Sequence, residues 1–178
     1  DPEMEPFWAA VEEAGLPVCF HIAENLNIDG RGAYGAWVVS LMDPFRKPFC
    51  QMAFGGVFDR HPGLQIVFAE AGIAWVPPML QDAEMVYDSF GGLLDPRPEH
   101  RPSHYWHKHC YATFQNDRLG LENLKYIGAD NAMWASDYPH TEGAFGYARK
   151  SRQAVFDAVS AEDARKILGG NAMRGFKL

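Results

Sequence analysis

No Gly-x-x-x-x-Gly-Lys-Ser/Thr occurs in the 178 residues and no Gly-x-Gly-x-x-Gly directly follows a predicted strand, which argues against dinucleotide and P-loop types of phosphate binding. Positive charge is scarce: 16 Lys and Arg face 23 Asp and Glu, giving a net charge of −7. Neutralising a nucleic-acid backbone takes clustered cations, so this balance predicts a small-molecule partner and no nucleic acid. No apolar run approaches the roughly 18 residues of a membrane span, and the first residues are acidic where a secretory leader is basic. The expectation is a cytoplasmic setting with no membrane partner. Cysteine is sparse as well. Cys19, Cys50 and Cys110 lie far apart with no Cys-x-x-Cys, which fits three reduced thiols better than a disulfide framework or a zinc ribbon.

What is present is enough apolar material for one core: 47% of residues are hydrophobic and 22% charged, an ordinary balance for a folded domain. Residues 5–15 carry Pro6 near the start, Phe7, Val11 and Ala14 on one face and Gly15 at the end, which are helix start, face and stop signals. A short apolar run follows over 16–21 and ends in His21, as a buried strand would. The same grammar returns over 64–70 and 132–137, which close on Glu70 and Asp137, and over 110–114, which runs into Gln115-Asn116-Asp117. Helix-length stretches separate them, predicted over 40–58, 75–87, 117–126, 147–159 and 161–168. The Pro- and His-rich segment 91–109 is expected to be a loop covering a surface, with its histidines solvated. Alternating strands and helices imply right-handed crossovers and a parallel sheet buried on both faces. Both an open doubly wound sheet and a closed barrel satisfy that alternation. In a barrel, chemistry sits where strands end.

His21, Glu70 and Asp137 occupy such ends. Brought together on one face, a His, a Glu and an Asp make a compact nitrogen and oxygen site for a divalent first-row metal. Such an ion lowers the pKa of bound water to about 7 and polarises a carbonyl, and a nearby carboxylate can take the released proton.

The segments Gly15-Leu16-Pro17-Val18-Cys19-Phe20-His21 and His61-Pro62-Gly63-Leu64-Gln65-Ile66-Val67-Phe68-Ala69-Glu70-Ala71-Gly72 resemble strands five and six of the amidohydrolase-related proteins. Trp134-Ala135-Ser136-Asp137-Tyr138-Pro139-His140 resembles the strand-eight signature of that family, and Lys166 to Phe176 resembles its closing helix. The family includes aminocarboxymuconate-semialdehyde and related aromatic-acid decarboxylases beside many hydrolases. The resemblance implies an α/β fold, the C-terminal half (about strands 5–8) of a TIM-type (β/α)8 barrel, with residues 1–178 forming a single partial domain. It implies that His21 and Asp137 are metal ligands, with zinc expected and manganese the alternative, and that Asp137 also helps move protons. Glu70 falls where much of the family has a histidine; it is expected to be a base or extra ligand, or else a carboxylate holding an Arg or a helix end. His140, Glu24 and Asn25 are candidate substrate contacts. The family's His-x-His at the end of strand one has no counterpart before His21, so the first half of the barrel is expected to be missing.

The expected activity of the intact protein is metal-dependent hydrolysis of a small carbonyl, ester or amide-type substrate. One alternative is nonoxidative decarboxylation of an unsaturated or aromatic acid; another is an inactive half-barrel module that associates with itself. Four βα units would leave two sheet edges open, so a homo-oligomer or pairing with the missing N-terminal half is expected.

Overall fold

The computed structural model describes residues 2–22, 29–41, 44–141 and 143–178. In chain order the elements are α1 (Glu5–Ala14), β1 (Val18–His21), α2 (Ala33–Ser40), α3 (Arg46–Phe54), α4 (Val57–Arg60), β2 (Ile66–Ala69), α5 (Val76–Ser89), α6 (Pro102–His109), β3 (Cys110–Phe114), α7 (Arg118–Glu122), α8 (Leu124–Ile127), β4 (Ala132–Trp134), α9 (Ala148–Ala158), α10 (Ala161–Arg165) and α11 (Asn171–Phe176). Gly15 closes α1 in the left-handed region at φ 62°, where its N–H meets the carbonyls of Val11 and Glu12.

The strands form one parallel sheet in the order β1-β2-β3-β4. Val18 pairs with Ile66, Ile66 with Cys110, and Ala112 with Ala132. A doubly wound sheet reverses its strand order part-way. Here each strand simply joins its predecessor, as in a barrel wall, which decides between the two architectures the sequence allowed.

Strand side chains alternate between two faces. Ile66, Phe68, Cys110, Ala112, Phe114 and Ala132 face the helices and share the main core with Phe49, Phe58, Trp75 and Trp106. Phe68 and Trp106 stack with centroids 6.1 Å apart, and Trp75 meets Trp106 edge-on at 5.6 Å. On the other face Val67, Tyr111 and Met133 form a second cluster, covered by Ala172 and Phe176 of α11.

Three expectations need correction. Residues 102–109 are helical, not loop: Pro102, Tyr105, Trp106 and His109 recur at helical spacing and all four are buried. His109 is therefore not a solvated histidine; its Nδ1 meets the Leu64 carbonyl at 2.8 Å and its ring stacks on Phe58 at 4.6 Å. The long helix predicted over 40–58 is instead α3 and α4, separated at Gly55-Gly56, where Gly56 turns the chain at φ 67°. The final helix runs on past 168 through a turn at Lys166–Gly170 into α11. Among the described residues, no helix is long and apolar enough to cross a membrane.

Candidate metal centre

The C-terminal ends of β1, β2 and β4 open onto one shared space. His21 is the last residue of β1, and Glu70 follows β2 directly. Asp137 lies three residues beyond β4, and His140 three residues further. Both carboxylate residues sit in the left-handed backbone region, Glu70 at φ 81° and Asp137 at φ 52°. Non-glycine residues hold that conformation at a cost, and such residues cluster at functional sites. Past Asp137 the chain winds tightly: the His140 N–H donates to the Asp137 carbonyl at 2.9 Å and the Ala144 N–H to the Ser136 carbonyl at 2.7 Å. That winding brings the His140 ring back over the strand ends.

His140 Nδ1 lies 3.1 Å from Asp137 Oδ1 and 3.6 Å from Glu70 Oε1. Glu70, Asp137 and His140 each offer a donor atom within 4.8 Å of the others. His21 approaches from the side, its Nε2 2.5 Å from Glu70 Oε2, with Nδ1 held 2.6 Å from the Ile22 carbonyl. Glu70 is only 6% exposed. Burial raises its carboxyl pKa above the ordinary range, and the neighbouring Asp137 charge adds to this; His21 and His140 oppose it. Among the described residues, Glu70 Oε2 and Asp137 Oδ2 are both buried without a hydrogen-bond partner. His21 Nε2 nonetheless makes an ion-pair contact with Glu70 Oε2. Two orphaned anionic oxygens beside two imidazoles are what a divalent cation would satisfy, so the donor set fits a metal ion.

The structure thus brings His21, Glu70, Asp137 and His140 together. It differs from the predicted pair of ligands in one respect: the compact donor group is Glu70, Asp137 and His140, with His21 contacting Glu70 from its edge. The partners of Glu70 are histidines, not an Arg or a helix end. Glu24 and Asn25 lie outside the described residues. The second cluster of histidines, His100, His104 and His107, lines an open cleft with Lys108 on and before α6, whose last residue adjoins the start of β3, the opposite end of the sheet.

Sequence reasoning passed over two residues of β3 and its exit. Thr113 accepts a hydrogen bond from the Glu70 N–H at 2.9 Å through Oγ1. Asp117 Oδ2 accepts from the N–H groups of Ile73 and Ala74 at 2.7 and 2.8 Å, while its Oδ1 caps α7 through Gly120 at 2.7 Å. Gly72, at φ 71°, packs so close to Asp117 that a β-carbon would fall 2.8 Å from Oδ2. A signal was available in the single polar residue inside the Cys110-Tyr111-Ala112-Thr113-Phe114 run. A cleft of about 310 Å³ on the concave face is lined by His21, Glu70, Thr113, Gln115 and Asp137 among others. A second, of about 380 Å³, shares Glu70 and Gln115 and is walled by Trp75 and Tyr147.

A strand-end site of this composition on a parallel barrel wall invites comparison with known families, and the Amidohydrolase family profile matches residues 1–178. The chain belongs to the amidohydrolase family. Gamma-resorcylate decarboxylase of Rhodococcus jostii (strain RHA1) is 29% identical over 192 residues, covering 99% of this chain and 55% of that protein. An amidohydrolase from Mycobacterium avium subsp. paratuberculosis K-10 superposes with a TM-score of 0.80 at 26% identity, covering 99% of this chain and 46% of the other. A dihydroxybenzoic acid decarboxylase from Polaromonas sp. JS666, solved with bound manganese and the inhibitor 2-nitroresorcinol, gives a TM-score of 0.76 at 22% identity, covering 97% and 53%. The amidohydrolase-family chain spans about half the length of the relatives it matches, in keeping with four βα units of an eight-unit barrel.

Proposed function

We propose that the whole protein to which this chain belongs is a divalent-metal-dependent nonoxidative decarboxylase of a hydroxylated aromatic or unsaturated acid. The observation that carries the reading is the convergence of Glu70, Asp137 and His140 at the strand ends, with two carboxylate oxygens left unpartnered, in a chain whose relatives include a gamma-resorcylate decarboxylase. Hydrolysis by an activated water, the first expectation from sequence, uses the same groups; the decarboxylase relatives favour the alternative.

In this reading Glu70, Asp137 and His140 hold the ion, with His21 beside them. The ion supplies positive charge that orients and polarises an anionic substrate. Two carboxylates and one or two imidazoles make an oxygen-rich set that suits manganese at least as well as zinc. The reaction exchanges a proton for carbon dioxide at one carbon: the carbon–carbon bond pair stays with the substrate, a proton adds there, and the carboxylate leaves as carbon dioxide. His21, whose side chain is 57% exposed, touches buried Glu70 and so links solvent to the site interior. That pair is the place where a proton is held and passed. The test is to incubate the whole protein with Mn2+ and gamma-resorcylate and follow carbon dioxide and the decarboxylated phenol. Release of both supports the proposal. A hydrolysis product from an ester or amide panel, with no carbon dioxide from aromatic acids, would return the site to hydrolysis.

We further propose that the open edges of β1 and β4 are closed in the working protein by strands of a complementary half, whether the N-terminal half or a second copy. The unpaired N–H and C=O groups of these edges support this.

A further inference from the structure

We propose that Thr113 is the positioning residue for Glu70, a role that rests on the metal-centre reading above. At φ 81° the backbone of Glu70 has left the strand geometry of β2, whose ladder ends at Ala69. Its N–H therefore needs an acceptor outside the ladder. The Thr113 hydroxyl supplies it at 2.9 Å, from the neighbouring strand and from inside the same cleft that holds His21 and Asp137. Asp117 pins the next turn of the loop through Ile73 and Ala74, so the segment 70–74 is tied to β3 and its exit at two points. Only the first of these acts on Glu70 itself. Releasing it lets the residue relax toward an ordinary backbone region and carries the carboxylate away from Asp137 and His140.

The role of Thr113 is therefore to keep a carboxylate aimed at a cation, and outer partners of that kind change metal affinity by roughly 10- to 100-fold when removed. Thr113→Val keeps the shape and deletes the acceptor, whereas Thr113→Ser keeps the acceptor.

The experiment measures Mn2+ affinity by electron paramagnetic resonance of the free ion, on the chain and its variants, together with amide hydrogen exchange at Glu70. The expected result is a loss of roughly 10- to 100-fold in Thr113→Val with faster exchange at Glu70, near-parent affinity in Thr113→Ser, and no further loss when Thr113→Val is added to Glu70→Gln. Parent-like affinity in Thr113→Val, or an equal loss in the Glu70→Gln background, overturns the role. Where neither the chain nor the whole protein takes up Mn2+, the metal reading fails instead; the tether is then judged by exchange alone, and unchanged exchange in Thr113→Val overturns it too.

Discussion

The two ends of the sheet are built on opposite plans. At the N-terminal end, polar groups close on one another. Asn131 Nδ2 lies 3.2, 3.1 and 2.8 Å from the carbonyls of Trp106, His107 and Cys110. Asn171 reaches the carbonyls of Ala129 and Ala132, each at 2.7 Å. Buried His61 sits between Glu5 and Glu12 of α1 at 3.1 and 3.3 Å. Arg60 adds its own bonds to Glu5, and together Arg60 and His61 lower the Glu5 pKa to about 2. At the C-terminal end two strained residues aim carboxylates at each other and leave two oxygens unmatched. The first end pairs most of its polar groups and stabilises the fold. The second carries the donor group proposed above to hold the metal ion. Among the described residues, His109 Nε2 is an orphan near the closed end, tolerable because a neutral imidazole nitrogen costs less to bury than a carboxylate.

The contrast can be broken from either side. The largest effect is expected at the open end: Asp137→Ala weakens Mn2+ binding on the order of 1,000-fold, about 4 kcal/mol, while thermal unfolding of the metal-free chain is unchanged. Equilibrium dialysis beside a melting curve checks both halves of that statement. At the closed end the reverse is expected. Asn131→Ala strips buried carbonyls of their donor and lowers stability by about 2–3 kcal/mol in urea unfolding, and the folded fraction keeps its Mn2+ affinity. Loss of metal binding in folded Asn131→Ala would erase the division of labour between the ends.

A smaller effect sharpens it. Glu70→Gln removes a buried charge that opposes Asp137, so the metal-free chain gains on the order of 1 kcal/mol even as the ion is bound less tightly. Such a trade belongs to a site and not to a structural ion pair.

The next test uses pH. Burial lowers the His109 pKa, so the folded chain keeps this ring neutral while the unfolded chain takes up a proton near pH 6.5. Where the unfolded state binds more protons, stability rises with pH. His109 therefore costs stability as pH falls from about 6.5 toward its lowered folded value, with a slope of at most about 1.4 kcal/mol per pH unit. His109→Gln should flatten that slope in chemical unfolding series between pH 7 and 5. The last test is association: light scattering after size exclusion should show more than one chain per particle, and a clean monomer would leave the sheet edges of the isolated chain without a second copy to cover them.

Much of the fold was legible because each strand announces itself twice, by an apolar run and by the polar residue that ends it, as in Val18-Cys19-Phe20-His21. The barrel order was legible only through the family resemblance, since alternation of elements alone is shared by barrels and open sheets and only pairing partners separate them. Helix α6 was hidden by composition: four histidines and three prolines within 96–109 suggested a solvated loop, although Pro102, Tyr105, Trp106 and His109 carry the helical period. At the site, Glu70 and Asp137 could be picked out as strand-end carboxylates. That His140 joins them depends on the left-handed turn at Asp137, which no residue pattern there announces. Thr113 was invisible as a tether because its role exists only through the register of β3 against β2.

Because β2 pairs with β1, β3 with β2 and β4 with β3, no strand waits for a partner encoded far downstream. The sheet can be laid down in the order of synthesis, each new unit docking on a wall already present as it leaves the ribosome. Growth by addition of this kind leaves the edge of the newest strand exposed at every stage.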